Sequence, residues 1–212
     1  MLISIPNNDN QIKRIEAFAD THGWHREYQY DPEATDILVC AGDVCNEGKE
    51  SHFRDFFAWF AQQPAPHKLF VAGNHDLPFD LDPENAVQYI PEGIAYIENG
   101  SIMLNGVQFF VLPVRPWLHE QERSTLQYLP KNVDVLVTHG APQGILDRNG
   151  QAGCPILREL VDKIQPKIHI FGHCHECGSQ KTTFGNTLFV NAAVKMITLK
   201  KRLLKYLELY EE

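Results

Sequence analysis

Five short stretches of the sequence place glycine beside side chains that bind metal ions. They are "ADTHG", "AGDV", "AGNHD", "THGAP" and "GHCHE", and they supply Asp20, His22, Asp43, Asn74, His139, His173 and His175. This mixed set of carboxylate, amide and imidazole ligands suits manganese, iron, zinc or cobalt better than calcium or magnesium. Seven ligands are too many for one tetrahedral ion but suit two ions that share a ligand. We therefore predict two divalent transition-metal ions, manganese first among the candidates, with Asp43 as the shared carboxylate.

The last stretch also contains two cysteines, Cys174 and Cys177, at the C-x-x-C spacing of a zinc ligand pair or a redox dithiol. A zinc pair would need two further thiolate or imidazole ligands nearby, and the adjacent histidines already belong to the larger set. A redox pair is typical of the start of a helix in a thioredoxin-like unit, which this stretch does not offer. We interpret both cysteines as bystanders.

Each ligand stretch ends a short apolar run that is typical of a buried β-strand. The runs are "IKRIEAFAD", "TDILVCAGD", "HKLFVAGNHD", "VDVLVTHGAP" and "PKIHIFGHCH". In open α/β sheets the ligand site lies beyond the carboxyl ends of the strands. The seven ligands are therefore expected to converge, although they are spread from residue 20 to residue 175.

Helical and turn patterns separate these runs. Apolar spacing predicts a helix over 48–63, and "PILRELVDKI" predicts a second helix with Pro155 in its first turn. The stretch 93–113 has the pattern of a hairpin or meander, with turns at 99–100 and 105–106. The tail "LKKRLLKYLELYEE" fits either a helix or a strand.

Composition limits the class of protein. A length of 212 residues, with 43% hydrophobic and 22% charged residues, predicts one domain over 1–212. The net charge of −8 argues against a general nucleic-acid or membrane surface. No apolar stretch approaches the roughly 20 residues that span a bilayer. Because the start resembles no signal peptide and the five cysteines are an odd number, we expect a cytoplasmic protein.

The predicted pair of metal ions is suited to catalysing displacement at phosphorus. Two ions about 3.5–4 Å apart would hold a hydroxide between them and clamp the oxygens of an in-line displacement. Two divalent ions, two carboxylates and one hydroxide leave a single positive charge, which favours the singly charged phosphodiester over a dianionic monoester. His75 adjoins the predicted ligand Asn74 and could protonate the leaving alkoxide, because histidine titrates near neutral pH.

The blocks "DTH", "GD", "GNHD", "THG" and "GHCH", in this order, resemble the five signature blocks of the calcineurin-like metallophosphoesterases. The finer pattern "VAGNHDLPFD", "THGAPQGILD" and "PKIHIFGHCHECG" is similar to the metallophosphoesterase-domain-containing subfamily. The resemblance implies an α/β fold, a four-layer α-β-β-α sandwich with two mixed β-sheets. It places a dinuclear metal site at the carboxyl ends of the strands.

The resemblance also implies how the ligands divide between the ions. One ion would be held by Asp20, His22, Asp43 and His175, and the other by Asp43, Asn74, His139 and His173. His75 would be the catalytic histidine.

Two departures from larger relatives narrow the function. The run "GDVCNEG" lacks the phosphate-binding arginine of Ser/Thr phosphatases, which argues against protein phosphatase activity. The segment 114–132 is too short for a capping or nucleic-acid-binding domain. Within it, Arg115, Trp117 and His119 could line a substrate pocket or form an ordinary surface loop.

These features predict a dinuclear-metal phosphoesterase that hydrolyses a small phosphodiester, a cyclic nucleotide being one candidate. The expected reaction is attack by the hydroxide between the ions, with His75 assisting the leaving group. One alternative is a phosphomonoesterase or pyrophosphate hydrolase that uses the same site. Another is a metal-bound scaffold without catalytic activity.

Overall fold

A computed structural model describes residues 1–46, 48–120 and 129–195 of the chain. The tail "LKKRLLKYLELYEE" therefore lies outside the described residues, and the one-domain prediction stays a prediction. The described strands fall into two sheets with helices outside them. This arrangement confirms the four-layer α/β sandwich with two mixed sheets.

The first sheet has five strands in the order β1-β2-β3-β4-β5. These are β1 (Leu2–Pro6), β2 (Ile12–Phe18), β3 (Ile37–Cys40), β4 (His67–Phe70) and β5 (Ile94–Tyr96). Strands β1 and β2 pair antiparallel, whereas β2, β3, β4 and β5 pair parallel. The carboxyl ends of β2, β3 and β4 consequently open on one edge of this sheet.

The second sheet has six strands in the order β10-β11-β9-β8-β7-β6. These are β6 (Gly100–Leu104), β7 (Val107–Val111), β8 (Val135–Val137), β9 (Ile168–Phe171), β10 (Gln180–Phe184) and β11 (Thr187–Asn191). The central strands β7, β8, β9 and β11 pair parallel, and an antiparallel strand flanks each side. The two strands that precede predicted ligands, β8 and β9, therefore lie side by side at the centre.

Alternating side chains of the two sheets form the inner core. Ile15 and Val39 of the first sheet and Phe109 and Ile170 of the second belong to one cluster of buried residues. Because strand side chains alternate between faces, the intervening residues face the helices outside. This inner core holds the two sheets face to face, so that their strand ends can share one site.

Four α-helices are described: α1 (Glu50–Gln62), α2 (Pro78–Leu81), α3 (Pro83–Ala86) and α4 (Pro155–Ile164). Helix α1 buries its predicted stripe, Phe53, Phe56, Phe57 and Phe60, against the first sheet. Helix α4 begins at Pro155 as predicted and packs Leu157 and Leu160 against the second sheet. None of the helices in the described part of the chain has the length and apolar character that crossing a bilayer demands.

The stretch 93–113 contains a hairpin, one of the two alternatives predicted for it. Its second turn, Asn105–Gly106, does connect the antiparallel pair β6 and β7, and both residues have positive φ (50° and 76°) as a tight hairpin turn requires. Its first turn, at 99–100, instead lies where the chain passes from β5 in the first sheet to β6 in the second. The meander alternative was wrong, because a local turn signal does not report which sheet receives the next strand.

The aromatic stripe of α1 generates a stability prediction. Phe56 is fully buried and packs against Phe57, Phe60 and Phe70. We expect Phe56→Ala to lower the free energy of unfolding by about 3–5 kcal/mol, because it leaves a cavity in a closely packed cluster. Urea denaturation would measure this change. Gln62→Ala, at an exposed position of the same helix, should stay within about 0.5 kcal/mol of wild type, and equal effects of the two would contradict the assignment.

Candidate metal centre

The predicted ligands lie where five strands end. Asp20, Asp43 and Asn74 follow β2, β3 and β4 of the first sheet, whereas His139 and the pair His173 and His175 follow β8 and β9 of the second. Six of the seven form two groups whose ligand atoms lie within 4.8 Å of one another: Asp20, His22 and His175, and Asp43, His139 and His173. The convergence expected from the sequence is therefore present in the fold, and both sheets contribute to each group.

The first group is compact. His175 Nε2 lies 2.9 Å from Asp20 Oδ1 and 3.2 Å from His22 Nε2. His22 and Asp20 are buried, and His175 is half-buried. A single ion bound at about 2.0–2.2 Å from nitrogen and oxygen would fit among these atoms.

The second group joins the two sheets. His139 Nε2 lies 3.3 Å from Asp43 Oδ2 and 3.1 Å from Asn74 Oδ1, so the seventh predicted ligand also belongs here. The His173 ring lies 5.4 Å from the His139 ring, centroid to centroid. These four residues are the set expected for the second ion.

Asp43 lies between the groups. Its Oδ2 is 3.8 Å from His22 Nε2 in the first group and 3.3 Å from His139 Nε2 in the second. Its Oδ1 accepts a hydrogen bond of 2.8 Å from the backbone N–H of His75. One carboxylate oxygen thus faces both groups, which is the geometry a shared ligand needs.

Backbone carbonyls orient two of the ligand imidazoles. His139 Nδ1 lies 2.7 Å from the Ala41 carbonyl oxygen, and His22 Nδ1 lies 3.3 Å from that of Cys45. In each ring the Nδ1–H donates to the carbonyl, which directs Nε2 towards the carboxylates. Metal-binding histidines in proteins are commonly oriented in this way.

Four of the ligand positions have a left-handed backbone. The φ angles of Asp20, His22, Asp43 and His173 are 60°, 46°, 56° and 62°. Such conformations of residues other than glycine cost about 1–3 kcal/mol each and cluster at functional sites. The surrounding contacts therefore hold these ligands in a conformation that the chain would not adopt by itself.

Glycines allow the loops to approach closely. A Cβ atom on Gly73 would lie 2.2 Å from Asp43 Oδ1, and one on Gly42 would lie 2.7 Å from His139 Nδ1. Any larger residue would therefore displace a predicted ligand.

Buried charge favours cations at this centre. Burial alone would raise the pKa of Asp43, but His139 and His22 lower it, so the carboxylate stays ionised. Burial alone would likewise lower the pKa of His139, but Asp43 raises it to about 9. Among the described residues, the ion pairs of Asp20 and Asp43 are made with histidines and not with lysine or arginine. Two buried carboxylates facing imidazole nitrogens match the donor chemistry of divalent transition metals.

His75 lies beside the centre and is exposed. Its Nδ1 is 2.9 Å from the Asn46 carbonyl oxygen, and its ring lies 5.0 Å from the His22 ring. Bonding of Nδ1–H to the carbonyl leaves Nε2 as the ring nitrogen that can face a ligand. The imidazole is therefore held next to the groups without belonging to either.

Asp76, at the end of "AGNHD", is a residue whose importance the sequence did not reveal. It is fully buried, and its carboxylate accepts four backbone hydrogen bonds of 2.8–3.3 Å. The donors are Gly73, beside Asn74, and residues 43–45. Burial and the charge of Asp43 raise the pKa of Asp76 to about 7. Asp76 thus fastens the loop after β3 to the loop after β4.

Asn191, at the end of β11, has a similar place in the second sheet. It is fully buried, and its Nδ2 donates to the carbonyls of Cys174, at 2.9 Å, and Leu146, at 3.2 Å. Because Cys174 lies between His173 and His175, Asn191 supports the loop that carries two predicted ligands. The stretch "VNAA" is a signal in the sequence that could have pointed to it.

Neither cysteine of the C-x-x-C pair belongs to a metal-binding group in the described residues. Cys174 is buried, and Cys177, half-buried, accepts a hydrogen bond of 3.4 Å from the backbone of Arg148. The bystander interpretation stays a prediction.

The three residues suggested as pocket lining differ in exposure. The Arg115 side chain is 6% exposed and forms ion pairs with Asp80 and Glu98, so its guanidinium is not free to bind a substrate. Trp117 is 41% exposed, and His119 is exposed.

Comparison with known proteins connects this geometry to a family. The sequence model described as calcineurin-like phosphoesterase matches residues 9–177. That range contains all seven predicted ligands and His75.

Individual proteins are also similar to this chain in sequence or in fold. The chain is 32% identical to a UPF0046 protein of Caenorhabditis elegans, over 90% of this chain and 72% of the relative. It is 30% identical to metallophosphoesterase domain-containing protein 1 of Homo sapiens, over 85% of this chain but only 66% of that protein. The crystal structure of a phosphopantetheinyl hydrolase from Mycobacterium tuberculosis superimposes on this chain with a TM-score of 0.64 at 15% sequence identity. The match covers 88% of this chain and 91% of the hydrolase chain. At that identity the likeness supports the fold alone.

Asp76 generates a prediction about metal affinity. Asparagine offers one acceptor oxygen, so Asp76→Asn should leave backbone donors of the ligand loops unpaired. We expect a loss of about 1–3 kcal/mol in the free energy of unfolding and a drop of about 10–100-fold in Mn²⁺ affinity. Chemical denaturation and titration calorimetry would measure the two effects.

Asp147 provides the matched control. It is also buried and accepts three backbone hydrogen bonds, from Gly144, Gly150 and Gly153, within a loop that carries no predicted ligand. Asp147→Asn should destabilise the fold while it leaves Mn²⁺ affinity near wild type. Equal Mn²⁺ affinity in wild type and Asp76→Asn would contradict the fastening role.

Proposed function

Because this chain belongs to the calcineurin-like phosphoesterase family and is thus a metal-dependent phosphoesterase, we propose that it hydrolyses a small phosphodiester. Asp20, His22, Asp43 and His175 would hold one divalent ion, and Asp43, Asn74, His139 and His173 the other. His75 would assist the leaving group. One observation supports the proposal most directly: Asp43 Oδ2 lies between two groups of ligand-type side chains.

A bound pair of divalent ions supplies Lewis-acid activation of water and neutralises charge on phosphoryl oxygens. The residues supply the rest. Asp20 and Asp43 hold two negative charges in a buried position, and the imidazoles whose Nδ1–H groups bond to carbonyls would bind an ion through a deprotonated Nε2. The site therefore keeps a positive excess when loaded, which attracts an anionic ester to an acidic protein.

His75 is suited to proton transfer by position. Its Nδ1–H bonds to Asn46, and its backbone N–H donates to Asp43 Oδ1, so ring and main chain are both tied to the loop after β3. A protonated Nε2 would give its proton to the departing alkoxide as the phosphorus–oxygen bond breaks. Such general acid catalysis contributes about 10²–10⁴-fold.

The diester preference rests on charge. A diester carries one negative charge, which suits the small positive excess of the loaded site better than a dianionic monoester does. A monoester or a pyrophosphate would use the same ligands. Manganese is the first candidate for the ions because the ligand set mixes nitrogen with oxygen, and iron, zinc and cobalt fit the same set.

The role of His75 can be tested by kinetics. In hydrolysis of bis(p-nitrophenyl) phosphate with Mn²⁺, His75→Gln should lower kcat by about 10²–10⁴-fold. Metal content should stay at wild type, since His75 is not a proposed ligand. His67→Gln, at the opposite end of β4, is the matched control and should retain full activity.

The assay also separates the alternatives. Faster turnover of p-nitrophenyl phosphate than of the diester would favour a monoesterase. Turnover in wild type no higher than in His75→Gln, with each of the four metals, would favour a metal-bound scaffold and defeat the proposal.

The position of Asp43 generates a prediction about stoichiometry. Asp43→Asn should weaken both metal sites, because Asp43 Oδ2 faces both groups. Asp20→Asn should weaken the first site and leave the second, because Asp20 reaches the second group only by accepting the backbone N–H of His173, a bond that an asparagine oxygen can keep. Elemental analysis after dialysis against limiting Mn²⁺ should give fewer ions for Asp43→Asn than for Asp20→Asn. Equal stoichiometry of the two variants would show that Asp43 is not shared.

A further inference from the structure

The side chain of Arg115 connects the two sheets next to the second ligand group. The residue follows β7 of the second sheet, and its guanidinium donates through Nε to the Ala72 carbonyl of the first sheet, at 3.1 Å. Its two terminal nitrogens form ion pairs with Asp80 and Glu98. All three partners follow strands β4 and β5, so one side chain of the second sheet holds two segments of the first.

Two of these contacts lie on either side of the loop that carries Asn74 and His75. Ala72 directly precedes Gly73, and Asp80 lies in α2, which begins just after Asp76 and Leu77. A shift of either anchor would move the loop between them. Arg115 therefore fixes the entry and the exit of that loop at the same time.

The neighbouring residue continues the contact on the second sheet. The Pro116 carbonyl oxygen lies so close to Gly140 that a Cβ there would be 2.1 Å from it. Gly140 directly follows His139, whose Nε2 is 3.1 Å from Asn74 Oδ1. Residues 115–116 thus touch the backbone beside both Asn74 and His139, which come from different sheets.

The guanidinium is well suited to this place. The Arg115 side chain is 6% exposed, whereas the carboxylates of Asp80 and Glu98 are more than 40% exposed. Burial alone would lower the pKa of Arg115, but Glu98 and Asp80 raise it, so the charge is retained. Glu98 also accepts from the Tyr96 hydroxyl. A lysine could not make all three bonds, because only the planar guanidinium presents donors in a fork.

We propose that Arg115 is a positioning residue that sets Asn74 and His75 of the first sheet against His139 of the second. It acts through these residues and does not contact the substrate. The kinetic part of the test rests on the proposed function, because it measures turnover. The metal-binding part does not, because Mn²⁺ affinity can be measured without turnover.

The test compares Arg115→Met and Arg115→Lys in wild-type and Asp20→Asn backgrounds. The second background isolates the ligand group of Asp43, Asn74, His139 and His173. There, Mn²⁺ titration should show affinity about 10–100-fold weaker with methionine at position 115 and partly recovered with lysine. In the wild-type background, kcat for bis(p-nitrophenyl) phosphate should fall while KM changes little.

Arg54→Met is the matched control, because Arg54 forms an exposed pair with Glu50 in α1, away from the site. It should leave Mn²⁺ affinity and kcat unchanged. Wild-type Mn²⁺ affinity in Arg115→Met would overturn the proposal. So would an equal weakening of both metal groups, which would indicate general loss of structure. Absence of turnover in wild type would defeat the proposed function but leave the titration decisive for Arg115.

Discussion

The site depends on the burial of two carboxylates, Asp20 and Asp43, where the two sheets meet. Removing ionised carboxylates from water is expensive unless they are paired and hydrogen-bonded. Here the pairing comes from imidazoles of both groups, and backbone N–H groups of His173 and His75 donate to the two carboxylates, at 2.9 and 2.8 Å. The same arrangement that makes the carboxylates tolerable in the fold suits them to the proposed role as ligands for divalent cations.

The two-sheet sandwich fixes the positions of these side chains relative to one another. Three ligand loops come from the first sheet and two from the second, so the distance between sheets sets the distance between ligands. The inner core fixes that distance along the strands. At the site itself, the parallel bridge between Ala19 and Ala193 joins the sheets beside Asp20, and Arg115 joins them beside Asn74. The two connections lie next to different ligand groups.

Much of this was predictable from local patterns. Strand runs that end in polar clusters indicated convergence, because parallel strands present their carboxyl ends on one edge, and the stripe of α1 and Pro155 of α4 located the helices. The roles of Asp76 and Arg115 could not be predicted from local patterns. Their partners are backbone groups and carboxylates of other segments, and no spacing within the sequence reports such contacts. The predicted meander failed at 99–100 for a related reason, since the sheet that receives a strand is decided by tertiary packing.

The division of the proposed ligands between the sheets has a consequence for how the protein matures. During synthesis Asp20, Asp43 and Asn74 leave the ribosome long before His139, His173 and His175. Each ligand group contains members from both sets, so a nascent chain that has formed only its first sheet holds incomplete coordination shells. On the proposed ligand assignment, the complete set of ligands for either ion would be available only after the later strands had docked.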